Sequence, residues 1–147
     1  MSNSDVTEYP NFVTHLECSL TGEKYEAGIV QGLSKAGRPL LVKYDLEKLA
    51  AQINKEDLTN RSGGFWRYRE FLPVRKTENV VALGEVTTPL MFLPKTAARL
   101  GTIEQNLIVK DEGRLPTGSF KARGLALAVA MAKELGLTHL AMPTNGN

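Results

Sequence analysis

The feature that most constrains this chain is a long helical pattern set between two short apolar runs. Residues 119–135 put Phe120, Leu127, Ala128, Met131 and Leu135 on one stripe. Gly124 shares that face, where a second backbone could come close, and Gly136 follows as a C-terminal cap. Before the helix, residues 107–109 read as a buried strand, and after it residues 139–142 read as the next one. A strand, a helix and a strand in that order predict an α/β class with a parallel sheet and a right-handed crossover. Ligands of such sheets sit at the carboxyl ends of the strands.

Upstream the pattern is shorter in range. Residues 1–11 are polar and predicted to be loose. Strands are predicted over 11–18, 24–27 and 40–44, with turns at Thr21-Gly22 and Gly37-Arg38-Pro39. Asp45 is placed to cap a helix with apolar residues at Leu46, Leu49, Ala50 and Ile53. Ser62-Gly63-Gly64 breaks the chain, and an aromatic-basic helix over 66–72 is stopped by Pro73. Residues 80–83 form a brief strand or extended link, and Pro94 opens a helix that runs to Leu100, before Gly101. The expected division is an appendage over 1–44, a linking region over 45–104 and the start of an α/β domain over 105–147. The sequence stops on a Gly/Asn loop directly after a strand, so that domain is expected to be incomplete and the chain a fragment.

Composition closes several function classes. Apolar residues are 42% of the 147, enough for a core, and the net charge of +2 demands neither nucleic acid nor an anionic membrane as partner. No apolar run nears the ~18–20 residues of a membrane span, and the first residues lack a signal peptide's basic start and apolar stretch. The single cysteine, Cys18, cannot form an internal disulfide, which suits a reducing cytoplasm. Residues 66–75 are basic and aromatic, but Glu70 and Glu78 dilute the charge, and arginine stems beside packed rings explain the pattern without single-stranded nucleic acid.

The chemistry concentrates between residues 110 and 124. Lys121 falls in the first turn of the long helix, where the positive end of the dipole disfavours its ammonium form and Phe120 and Ala122 add an apolar wall. A neutral lysine is a nucleophile toward aldehydes, and its best-known partner is pyridoxal phosphate (PLP). Free N–H groups at the helix start favour an anion, and Gly118, Thr117 and Ser119 offer close approach and hydroxyls. Position alone favours a solvated surface lysine on an ordinary helix. Gly113 and Gly118 match the G-x-x-x-x-G spacing of a phosphate loop, but Ser119-Phe120-Lys121 follows where Lys-Ser/Thr is required.

Thr117-Gly118-Ser119-Phe120-Lys121 resembles the lysine motif of fold-type II PLP enzymes, the tryptophan synthase β-like class. Extended to Lys110-Asp111-Glu112-Gly113 and Ala122-Arg123-Gly124, it is most similar to threonine synthases, although Leu115 stands where many relatives have Asn. Trp66-Arg67-Tyr68-Arg69 resembles the family's W-R-Y-R stretch, and Leu83-Gly84-Glu85-Val86-Thr87-Thr88-Pro89-Leu90 its L-G-E-G-x-T-P-L segment, with Val86 at the usual Gly. The resemblance implies that Lys121 holds PLP as a Schiff base and serves as the base, with Phe120 beside the cofactor. It further implies that Asn147 bonds the cofactor's phenolic oxygen, and that Thr144, Asn145 and Ser119 serve the substrate. The implied reaction takes O-phospho-L-homoserine and water to L-threonine and phosphate. Another fold-type II enzyme, such as a threonine/serine dehydratase or a cysteate synthase-like protein, and a non-catalytic fragment remain open. The full-length enzyme would be a cytoplasmic homodimer acting on a small amino acid.

Some relatives begin with two C-x-x-C-G zinc knuckles. Cys18-Ser19-Leu20-Thr21-Gly22 resembles the first, with Thr21 at its second ligand, and residues 33–40 resemble the second, with Leu33 and Ala36 at both ligand positions. One thiolate cannot hold structural zinc. The expectation is a degenerate zinc-ribbon-like appendage without metal, in which Cys18 is a small buried residue.

Overall fold

The computed structural model describes residues 7–102 and 107–143. Its first element is an antiparallel sheet of three strands, β1 (Val13–Cys18), β2 (Lys24–Tyr25) and β3 (Leu40–Tyr44), in the order β2-β1-β3. Leu16 stands opposite Tyr25 on one side and Val42 on the other. Alternation of this kind puts one side-chain set on each face of the sheet. Residues 7–11 are not loose. Tyr9 N–H donates to Arg75 O at 2.7 Å and Asn11 Nδ2 to Pro73 O at 2.9 Å, so this segment runs along residues 73–77.

The two turns of the sheet meet at Cys18, which is 2% exposed. Its Sγ lies 3.1 Å from Ser34 Oγ and accepts from Thr21 N–H at 3.5 Å. The Ser34 hydroxyl first, then Thr21, bring this thiol down to about 7. The second turn differs from the knuckle alignment. Gly37 N–H donates to Ser34 O and Ser34 N–H to Arg38 O, so the turn starts at Ser34 and buries its hydroxyl. Leu33 and Ala36, expected at the ligand positions, are exposed. Among the described residues no three His, Cys, Asp or Glu side chains gather as a metal site.

Two short helices follow. In α1 (Leu46–Gln52) Asp45 accepts from Lys48 N–H at 2.9 Å, as an N-cap does, and Leu49 is the buried residue, while Leu46 faces solvent. α2 (Lys55–Thr59) starts with a reciprocal capping box between Asn54 and Asp57. The aromatic-basic stretch is a 3₁₀ helix, Phe65–Phe71, broken at Tyr68. Inside it Glu70 is buried and receives both Arg61 Nη atoms, at 2.6 and 2.8 Å. Burial pushes the Glu70 carboxyl up, but the Arg61 hydrogen bonds outweigh it and the net shift is downward. Residues 80–83 form no strand; Val81 O instead accepts from Trp66 Nε1 at 3.0 Å.

The carboxyl half pairs differently from the predicted βαβ unit. β4 (Leu90–Phe92) and β5 (Ile108–Lys110) form an antiparallel pair, Met91 opposite Val109, with α3 (Pro94–Arg99) between them in sequence. β5 is exposed rather than buried, residues 139–142 form no strand, and no parallel pair occurs among the described residues. β5 therefore uses its ladder bonds on a sequence neighbour across α3.

α4 (Lys121–Glu134) ends as expected: Leu137 N–H reaches Ala132 O and Gly136 N–H reaches Lys133 O, the paired bonds of a Schellman cap, with Gly136 at φ +72. Its buried face is not the predicted stripe. Ala122, Ala126, Ala130 and Ala132 are buried, while Phe120 and Leu125 are exposed and Gly124 has nothing within 4 Å of its Cβ position. The helix lies against residues 75–79, where Glu134 Oε2 accepts from Lys76 N–H and from Asn79 Nδ2, and Lys133 Nζ donates to Glu78 O. No helix among the described residues is long and apolar enough to cross a membrane.

Among the described glycines the tightest approach is at Gly64, with φ +105, where an added Cβ would stand 2.7 Å from Glu85 O. Gly84, at φ +89, has open space around it. Gly64→Ala is therefore expected to destabilise by more than about 2 kcal/mol in urea unfolding and Gly84→Ala by about 1 kcal/mol. Equal effects would show that conformation alone, not the contact with Glu85, sets the cost.

Candidate functional site

The site is built from the loop that leaves β5 and enters α4. Asp111 starts it: Oδ1 accepts from Gly113 N–H at 3.1 Å and Oδ2 from Arg114 Nε at 3.0 Å. A 3₁₀ turn (Glu112–Arg114) follows, then buried Leu115, which pins the loop to the core in place of a polar residue. In the next turn (Pro116–Gly118) Thr117 and Gly118 both take left-handed conformations, φ +64 and +65. For β-branched Thr117 this costs on the order of 1–2 kcal/mol, and such conformations cluster at ligand sites. Ser119 is extended again and 8% exposed, and its Oγ accepts from Lys121 N–H at 3.3 Å.

Lys121 is the first residue of α4 and is half-buried, with the exposed ring of Phe120 beside it. Lys121, Phe120 and Ser119 thus share the junction of loop and helix. The first-turn amides are less available than expected for an anion. Those of Lys121, Ala122 and Arg123 donate to Ser119 Oγ, Ser119 O and Phe120 O. Thr144, Asn145 and Asn147 lie outside the described residues.

A charged cluster holds this junction, and sequence reasoning assigned it no role. Arg123 Nε donates to Glu112 Oε2 at 2.9 Å and Nη2 to Glu112 Oε1 at 3.3 Å, while Nη2 also donates to Val86 O at 3.3 Å. Buried Thr88 donates its hydroxyl to Glu112 Oε1, and Lys110 Nζ donates to Thr88 O at 3.2 Å. Arg123 above all, then Thr88, hold the Glu112 carboxyl at about 2. One carboxylate so ties residues 86–88, the strand end and the helix start. The available signal was the opposite charge of Glu112 and Arg123 on either side of the lysine.

Three curated proteins, each named threonine synthase, are similar to this chain. That of Methanocaldococcus jannaschii is 37% identical over 130 residues, 88% of this chain and 32% of the relative. That of Methanosarcina acetivorans is 35% identical over 134 residues, 90% of the chain and 32% of the relative. That of Halalkalibacterium halodurans is 44% identical over 80 residues, 54% of the chain and 22% of the relative. The chain spans about a third of the length of the first two. No protein-family model matches the chain, and no solved structure does.

The carboxyl of Glu112 has a lowered pKa in the folded chain, from 4.5 to about 2, so its contribution to stability is complete above pH 4.5 and is lost as pH falls toward about 2. Glu112→Gln is expected to lower the melting temperature at pH 7, with the gap to the parent closing between pH 4.5 and 2. A gap constant across that window would show that the charge of Glu112 is not what holds the junction.

Proposed function

We propose that this chain, which belongs to the threonine synthase family, carries the lysine-bearing part of a PLP-dependent lyase. In this reading Lys121 is the residue that holds the cofactor. Residues 1–44 form an appendage, 45–104 a linking region and 105–147 the start of the cofactor domain. The supporting observation is the conjunction of sequence similarity with a half-buried lysine at the start of α4.

The residues at the junction suit the group. Lys121 offers a primary amine and Phe120 an exposed flat ring. At Gly118 an added Cβ would meet only Gly113 O, at 3.9 Å, so a ligand finds room beside the backbone. When bound, PLP supplies a ring that stores the electron pair released at the substrate's Cα. Lys121 is the residue whose amine would hold the cofactor's aldehyde carbon, and its free amine would serve as the base and acid that moves protons at the substrate's Cα and Cβ. Ser119, with Thr144 and Asn145, would receive the substrate carboxylate, and Asn147 would hold the cofactor's phenolic oxygen. The Glu112–Arg123 pair neither donates nor accepts a proton in this scheme; it fixes the first turn of α4 from which Lys121 projects.

The substrate of the whole enzyme is O-phospho-L-homoserine, converted with water to L-threonine and phosphate in a cytoplasmic protein. Incubating this chain with PLP and then borohydride is expected to attach a pyridoxyl group to one residue, found by peptide mass spectrometry at Lys121. Lys121→Ala should lose both that label and the visible absorbance of the bound cofactor. A label spread over surface lysines, or an unchanged spectrum in Lys121→Ala, would remove Lys121 from the mechanism. Threonine and phosphate formation by a protein of the relatives' full length checks the reaction.

A further inference from the structure

A groove of about 660 Å³ opens at the other end of α4, between that helix and the amino-terminal sheet. Lys121 and Glu134 are the first and last residues of α4. At 1.5 Å of rise per residue the groove stands about 20 Å along the helix from the lysine. Its volume lies in the usual range for small-molecule sites, about 300–1,000 Å³. The sheet contributes Val13, Leu16 and Val42, and the helix contributes Met131 and Leu135. These apolar residues share the lining with polar Asn11, Thr14 and Gln31 and with the charged groups Glu26, Arg75 and Glu134, of which the last two face each other across 3.7 Å.

Glu134 is the informative group. Its side chain is 7% exposed, and Oε2 is fixed by Lys76 N–H at 3.2 Å and Asn79 Nδ2 at 2.6 Å. Oε1 accepts no hydrogen bond, and its ion-pair partner, Arg75 Nε, is 3.7 Å away. A buried carboxylate oxygen without a donor costs about 1–3 kcal/mol or more, and native folds leave few of them. Arg75 is mostly exposed and covers this oxygen without bonding it, so a small swing of its long side chain admits a donor. An ammonium seated on Oε1 would leave the displaced guanidinium free to pair with a carboxylate. Adjacent ammonium and carboxylate groups beside an apolar side chain define one ligand class.

We propose that this groove binds a zwitterionic α-amino acid with an apolar side chain, its ammonium on Glu134, its carboxylate on Arg75 and its side chain against Leu16, Val42 and Met131. Both charged groups are needed, because each half of the ligand alone leaves one of them without its partner. The site is separate from the lysine junction and does not depend on cofactor.

Calorimetric titration of the chain with L-leucine, isoamylamine (no carboxylate) and 4-methylvalerate (no ammonium) tests this. L-Leucine is expected to bind saturably, and each half-ligand to bind at least about tenfold more weakly, a loss of about 1.4 kcal/mol. Glu134→Gln, which keeps the shape and the acceptor for Lys76 and Asn79, should weaken leucine at least as much. Val42→Lys, at a half-exposed strand position that tolerates a long side chain, should abolish binding by placing a cation in the groove. It carries the test if Glu134→Gln disturbs packing. Absence of saturable leucine binding overturns the proposal, as does binding that both variants leave unchanged.

Discussion

The junction between loop and helix depends on one carboxylate, that of Glu112. Its two oxygens meet Arg123 on α4 and Thr88 from the segment before β4, and Arg123 reaches on to Val86 O. Without it, the left-handed turn at Thr117 and the helix start would lose their tie to residues 86–88. The pair is about three-quarters buried on both sides, where ion pairs are screened less than at a free surface. The interaction also joins motifs that lie far apart in sequence. Residues 83–90 and 110–124 are two halves of one hydrogen-bonded arrangement, and Gly63-Gly64 fits against the first through Thr87 and Glu85.

What the sequence made legible was local. The three amino-terminal strands, the Asp45 cap, the stop at Pro73 and the Gly136 cap each rest on residues within a few positions of one another. What it did not make legible was pairing at a distance. Nothing in residues 107–109 says whether their ladder partner precedes or follows them, and β4 takes it in antiparallel register. The buried face of α4 failed for a related reason. Hydrophobicity points to Leu127 and Met131, which are half-buried, whereas the fully buried positions are Ala122, Ala126, Ala130 and Ala132, a choice set by distant neighbours rather than by the helix's own pattern. The second turn of the sheet shifted by one residue because the Ser34 hydroxyl can bond both Arg38 N–H and Cys18, whereas Leu33 and Ala36 have nothing to offer there.

The candidate site was read from the lysine outward, and the residues nearest it in sequence, Ser119 and Phe120, lie beside it in space. Its supports were harder to read because they act through an ion pair 11 residues apart and a hydrogen bond 35 residues apart, for which opposite charge flanking the lysine was the one local sign. Thr117 was read for its hydroxyl, yet its more distinctive property is its backbone. A threonine at φ +64 carries backbone strain that a glycine there would not.

α4 therefore behaves as a strut with a different device at each end. At its amino end the Arg123–Glu112 pair sets the direction from which Lys121 projects. At its carboxyl end the Schellman cap and the Glu134 bonds to Lys76 and Asn79 set its seat on the segment that also carries Tyr9 and Asn11. α4 thus links the lysine junction to the segment along which residues 7–11 run, although the two lie far apart in sequence.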